Sequence, residues 1–239
     1  MTVRSENKIQ TKYMKTEYVN LTALAVSTLA ATLLMAGCTS TGYEKGNVTA
    51  ANIQTTSDRI AALPGQVDKT MASLNDLVNN PQADLRPQYQ QFAANLAQME
   101  SSSKDVAADR RVMGEKAKEY LDAWDQEIGQ IQNADIKARS QSRKEAVNQQ
   151  LVAIKKSYVE SCTTFKPFLA DLNDVQKYLS VDLTTGGITA IKDPVAKANR
   201  DAVPLKVSLT KLAGDFKAFA TSMSSVTPPQ STNNAATPQ

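Results

Sequence analysis

Between Tyr89 and Ile131 the apolar positions recur in steps that alternate three and four: Tyr89, Phe92, Leu96, Met99, Ser103, Val106, Arg110, Met113, Ala117, Tyr120, Trp124, Ile128 and Ile131. Only Ser103 and Arg110 break the apolar rule. This rhythm keeps one stripe on one side of a long α-helix. No proline falls between Pro87 and Pro167, and Asp, Glu, Lys, Gln and Ser fill the intervening positions, so water solvates the other faces. A lone stripe is not stable in water, and other segments must cover it.

Three further stripes supply the cover. Ile53, Thr56, Ile60, Leu63, Val67, Met71, Leu74 and Val78 mark a helix within 49–79. Pro64-Gly65 predicts a kink or short break in it, because proline removes a helix hydrogen bond and crowds the preceding turn. Asn133-Ala134-Asp135 predicts a capped turn, followed by a return arm through Ile136, Ser140, Arg143, Val147, Leu151, Ile154, Tyr158, Cys162, Phe165, Leu169, Leu172, Gln176 and Leu179, with a bend near Thr163 ahead of Pro167. Gly186-Gly187 is expected to end that arm, with glycine in the left-handed conformation. The last arm steps from Ile188 and Ile191 through Val195, Ala202, Leu209 and Phe216 to Val226, and Pro194 and Pro204 predict a kinked or split first half. No strand pattern competes. Short connections make consecutive helices antiparallel, so the expected fold is all-α: an elongated antiparallel bundle of about four helices, with coiled-coil-like hairpins, over 48–226. Residues 227–239 are low in complexity and read as a disordered tail.

Composition narrows the function classes. With 9 Gly, 9 Pro and 5% aromatic residues in 239, the chain suits one extended object better than a deep globular core. Formal net charge is +3, and most of that excess lies before residue 38, leaving a near-neutral remainder that argues against nucleic-acid binding by bulk charge. Histidine is absent, which excludes imidazole acid–base chemistry, His triads and His-ligated metals. No nucleophile–base pair, phosphate loop or metal spacing appears, so the chain reads as non-enzymatic, without cofactor or small-molecule substrate.

Arg4 to Lys15 is basic, Val19 to Met35 is apolar, and Ala36-Gly37-Cys38 leads into Thr39-Ser40-Thr41-Gly42. This is the layout of a secretory signal. The stretch Leu34-Met35-Ala36-Gly37-Cys38 resembles the lipobox of bacterial lipoproteins, with Met35 where Leu or Val is usual. The competing reading is an uncleaved signal anchor with an incidental cysteine. The resemblance implies that residues 1–37 are a signal peptide cleaved between Gly37 and Cys38. Cys38 then carries diacylglycerol and an N-acyl chain, each buried methylene contributing about 0.8 kcal/mol of membrane anchoring. Thr39 in second place implies export to the outer membrane, and either reading puts the body in the cell envelope, facing the periplasm. Residues 38–47 read as an acylated cysteine and flexible tether.

The acidic helix around Trp124, the Asn133-Ala134 turn, the Arg139/Ser140/Arg143 run and the Tyr178-Leu179 to Gly187-Ile188 junction resemble a catalogued bacterial family of unknown function. Its members are long helical hairpins, often lipoproteins. That resemblance implies shape and brings no activity.

Four candidate sites remain. Glu115, Glu119, Asp122 and Asp125 are interleaved with Lys116 and Lys118 and read as a solvated charged face rather than an acid–base or metal pair. Ser103 and Arg110 are a possible polar layer in the seam, Arg110 requiring an acidic partner there; otherwise its stem lies along the surface with its head in water. Cys162 is either a small buried hydrophobe or an exposed thiol able to link two copies. Lys137, Arg139, Arg143 and Lys144 follow the hairpin turn, at the end that a lipid on Cys38 would bring to the membrane, where they could meet anionic headgroups. The resulting expectation is a scaffold or adaptor with an envelope partner or a second copy of itself, an anionic-lipid-binding module being the alternative.

Overall fold

The structure, a computed structural model, describes residues 41–225. The expected signal segment 1–37, the Gly37–Cys38 cleavage and lipidation site, Val226 and the expected tail 227–239 lie outside the described residues. Four long helices and one short one follow in order: α1 (Gly42–Asn79), α2 (Arg86–Gln130), α3 (Ala134–Val181), α4 (Thr185–Ala190) and α5 (Lys192–Met223). Among the described residues there is no strand.

Connectivity makes the long helices an up-down-up-down bundle. α1 packs against α2 and α5, and α3, diagonally opposite α1, closes the bundle against the same two. The expected stripes form the core. Ile53, Ile60, Val67 and Leu74 of α1, Phe92, Leu96 and Met99 of α2, Leu172 and Leu179 of α3, and Phe216 of α5 are excluded from solvent or nearly so.

Local chemistry moves several boundaries. α1 starts at Gly42, inside the stretch that reads as tether, because the Thr41 backbone N–H donates to the Glu44 carboxylate (2.6 Å) and fixes the first turn. At the start of α2, the Asp84 carboxylate accepts from the Arg86 backbone N–H (3.0 Å) and from its guanidinium (2.9 and 2.8 Å). Arg86 holds the Asp84 carboxyl down at about 2. The predicted Asn133 cap is present, its side chain accepting from the Ile136 N–H (3.1 Å).

Pro64 and Pro167 do not break their helices, since α1 and α3 run through both. Each is flanked by buried turns, Ile60, Leu63 and Val67 around one and Phe165, Phe168 and Leu172 around the other. Packing on both sides of the missing hydrogen bond outweighs its loss. The last arm is split as expected ahead of Pro194, at Ile191, whereas α5 runs through Pro204. Pro194 would clash with the carbonyl four residues back, at Ala190, so one helix cannot span both, but it fits the first turn of a new one.

The glycines after α3 act differently from the expectation. α3 ends at Val181, and Gly186 and Gly187 lie within α4 without a left-handed backbone. A Cβ on Gly187 would stand 2.1 Å from the Asp182 carbonyl oxygen, so glycine is required there for close approach.

The two sides of the bundle pack unequally. On α1 the seam residues Thr49, Ser57 and Thr70 are buried, and their hydroxyls reach backbone carbonyls of facing helices: Thr49 to Lys116 (3.1 Å), Thr70 to Asn95 (3.2 Å) and Ser57 to Ala213 (2.8 Å). Gly46 lets the Tyr120 ring approach, and α5 presents Ala198, Ala202, Ala213 and Ala220. Small side chains let helix axes come close. α3 instead turns Leu151, Tyr158, Phe165 and Phe168 inward, and with these bulky groups between them it approaches α2 and α5 less closely than α1 does.

Candidate functional sites at the hairpin end and beneath α3

The hairpin end is a two-helix projection. Gly46 near the start of α1 lies level with Tyr120, and α2 runs ten residues further, roughly 15 Å, before the turn. α5 ends alongside α1: the Asn47 side chain bonds the Ser225 hydroxyl (2.8 Å) and accepts the Ser225 backbone N–H (3.0 Å). Past that clasp, among the described residues, only α2 and α3 continue. Trp124 Nε1–H donates to Ser140 Oγ across them (2.9 Å), and the Tyr120 and Trp124 rings lie 5.3 Å apart. Burial pushes the Tyr120 phenol up, the Arg143 charge opposing it. Ile136, expected on the stripe, is 56% exposed because neither α1 nor α5 reaches it.

The four bases there divide into two pairs. Lys144 forms an ion pair with Asp125 on α2, and Arg143 donates to the Ser222 carbonyl in the last turn of α5 (3.3 Å). Both are engaged within the fold. Lys137 and Arg139, nearer the tip, form no ion pair among the described residues.

The four carboxylates clustered on α2 each have a cationic neighbour: Glu115 pairs with Arg111 (2.7 Å), Glu119 with Lys116 (2.9 Å), Asp122 with Lys118 and Asp125 with Lys144. Among the described residues no cluster of three metal-type side chains occurs. No helix there is long and apolar enough to cross a membrane.

Ser103 and Arg110 do not form the polar layer considered from sequence. The Ser103 hydroxyl turns back to the Glu100 carbonyl of its own helix (2.7 Å). Arg110 finds no acid, because neighbouring Asp109 pairs with Arg59 of α1 (3.0 Å). Its guanidinium lies over the Tyr158 ring of α3, 5.2 Å from the centroid. Cys162 is a partly buried free thiol one turn further along α3, and Ser161 takes the buried place beside it. The Tyr158 phenol is raised to about 12, chiefly by burial and further by Cys162, with Arg110 opposing.

Sequence periodicity gives no sign of the space beneath α3. Ile60, Val106, Phe165 and Leu209, one from each long helix, surround a cavity of about 270 Å³ in mid-bundle. Tyr158 forms its wall towards the hairpin end. On the other side of that ring an apolar groove of about 350 Å³ runs between α2 and α3, over Met113, Leu121 and Leu151, with Arg110, Lys118 and Lys155 along its edges. The available signal was size: small residues beside the α1 stripe (Thr49, Ser57 and Thr70) and alanines along α5, against bulky residues on α3.

With hairpin, turn and junction in view, the chain belongs to a family of unknown function, DUF2959, which matches residues 35–223. No curated protein and no solved structure is detectably similar to it.

Proposed function

We propose that this protein is a lipid-anchored helical bundle of the bacterial cell envelope, serving there as a scaffold or adaptor. What carries the reading is the start of α1. Gly42 lies four residues past Cys38 of the lipobox-like stretch. The intervening residues 39–41 reach about 10 Å at most. An acyl chain on Cys38 would therefore hold the α1/α5 end, and the hairpin projecting beyond it, close to the bilayer surface. The outer faces suit a protein-binding role, with ion pairs and exposed apolar residues such as Val159, Val203 and Val207.

The test is mass spectrometry of the protein from its own bacterium. The amino-terminal peptide is expected to begin at Cys38 and carry diacylglycerol and an acyl chain, and Cys38→Ser is expected to release the body from the membrane fraction. An unmodified Cys38 within a longer chain would remove the anchor from the proposal. Direct contact of Lys137 and Arg139 with anionic headgroups is a second reading, favoured by their lack of ion pairs among the described residues and by exposed Ile136 in the first turn of α3.

A further inference from the structure

The space beneath α3 has the properties of a ligand site, independently of whether Cys38 is lipidated. A cavity in a helical bundle is filled by water, left empty or occupied by a guest, and its lining decides which. Water needs two to four polar partners. Here the serine hydroxyls in the wall are already used: Ser103 donates to the Glu100 carbonyl, and Ser161 pairs with Ser208 (3.0 Å). The remaining lining is dominated by aliphatic and aromatic side chains from all four long helices. The interior therefore offers water little and an apolar chain a great deal.

The edges of the same space carry the opposite character. Arg110 has an aromatic ring beneath it and no carboxylate. Lys155 at the groove and Lys166 at the cavity form no ion pair among the described residues. The one acid on the groove, Asp122, is neutralised by Lys118. An apolar interior with net positive edges is complementary to a molecule with one long hydrocarbon chain and an anionic head. The groove, at about 350 Å³, falls in the size range of small-molecule sites, roughly 300–1,000 Å³, and the cavity that adjoins it across the Tyr158 ring, at about 270 Å³, lies just below that range.

We propose that the bundle binds one acyl chain of an anionic single-chain lipid in the cavity beneath Tyr158, its head held at the α2–α3 opening by Arg110 and Lys155. The Tyr158 ring, between cavity and groove, is the element that must shift to admit the chain, and the loose packing of α3 lets it do so. A fatty-acid carboxylate and a lysophospholipid phosphate satisfy the same requirement.

The experiment uses the full chain as its bacterium makes it, held in an amphipathic polymer without detergent. Palmitic acid carrying a diazirine near the end of its chain is added, illuminated, and its adducts mapped by mass spectrometry. Adducts are expected on α2 around 103–107 and on α3 within 158–169, with unlabelled oleate or lysophosphatidylglycerol competing. The better competitor identifies the head. Ser103→Phe, which fills the cavity, is expected to lower labelling there at least fivefold. Arg110→Gln is expected to weaken competition by oleate about tenfold and leave methyl oleate unchanged, which keeps the proposal testable should Ser103→Phe fail to fold. Adducts spread evenly over the surface, adducts confined to the hairpin tip, undiminished labelling of folded Ser103→Phe, or equal effects of Arg110→Gln on oleate and its ester would overturn it.

Discussion

Arg110 of α2 and Tyr158 of α3 meet face-on across the seam, the guanidinium carbon 5.2 Å from the ring centroid. The contact joins the helix that is hardest to hold, α3, to the rest of the bundle. Such a pair contributes roughly 0.5–1 kcal/mol at a part-exposed site. Arg110→Gln is expected to lower stability by about that amount in urea unfolding.

The same pair makes stability depend on alkaline pH. Burial raises the Tyr158 phenol from 10.0 to about 12. Between those values the unfolded chain releases this proton and the folded one retains it. This group therefore leaves stability unchanged below pH 10 and lowers it as pH rises from 10 towards 12. Urea midpoints measured from pH 9 to 11.5 should show this fall, and Tyr158→Phe should flatten it. Arg110→Gln should move the Tyr158 titration higher still, because the lost charge was opposing the rise.

Unequal packing predicts unequal tolerance to added bulk. Ser57 is buried between α1 and α5 with its hydroxyl on the Ala213 carbonyl. Ser57→Ala is expected to cost about 1 kcal/mol, and Ser57→Leu a further 1–3 kcal/mol, because the helices would have to separate. Ser103→Leu adds a comparable volume next to the cavity and is expected to be neutral or stabilising. Thermal unfolding of the three variants decides it: equal losses for the two leucine variants would contradict the asymmetry.

Gly187 separates two explanations for a glycine at a helix junction. A left-handed cap would tolerate asparagine, but here any Cβ meets the Asp182 backbone carbonyl. Gly187→Ala and Gly187→Asn are both expected to lose at least 2 kcal/mol. Gly65→Ala, with open space around its Cβ position, is the control and should be neutral or mildly stabilising.

At the hairpin the four bases should not contribute alike. Lys137→Gln with Arg139→Gln is expected to weaken binding of the unlipidated chain to vesicles rich in phosphatidylglycerol by up to about thirtyfold, from about 1 kcal/mol per charge. Arg143→Gln with Lys144→Gln should act less on binding and more on stability, since those side chains tie α3 to α5 and α2. Vesicle sedimentation and urea unfolding on both pairs test the division.

Periodicity made the helices and most of their buried residues legible. The stripe of α1 is buried at every position named for it, from Ile53 to Val78, and α5 follows its stripe through Phe219. Those residues face the core because a 3.6-residue repeat admits one solution when a stripe must leave water. On α3 the stripe was less binding. Past Ile154 the buried face turns by about one residue, so that Ser161, Phe168 and Val175 are covered while Cys162 and Leu169 lie at the margin.

Capping at Asn133 and the break before Pro194 were also set by neighbours in the chain. By contrast, the partner of Arg110, the engagement of Lys144 and Arg143, the continuity of α1 through Pro64 and the void under α3 depend on what stands opposite each residue. A one-dimensional pattern records which face is apolar but carries no distance between faces. That distance is decided only when small side chains draw α1 against α2 and α5 while bulky ones hold α3 off.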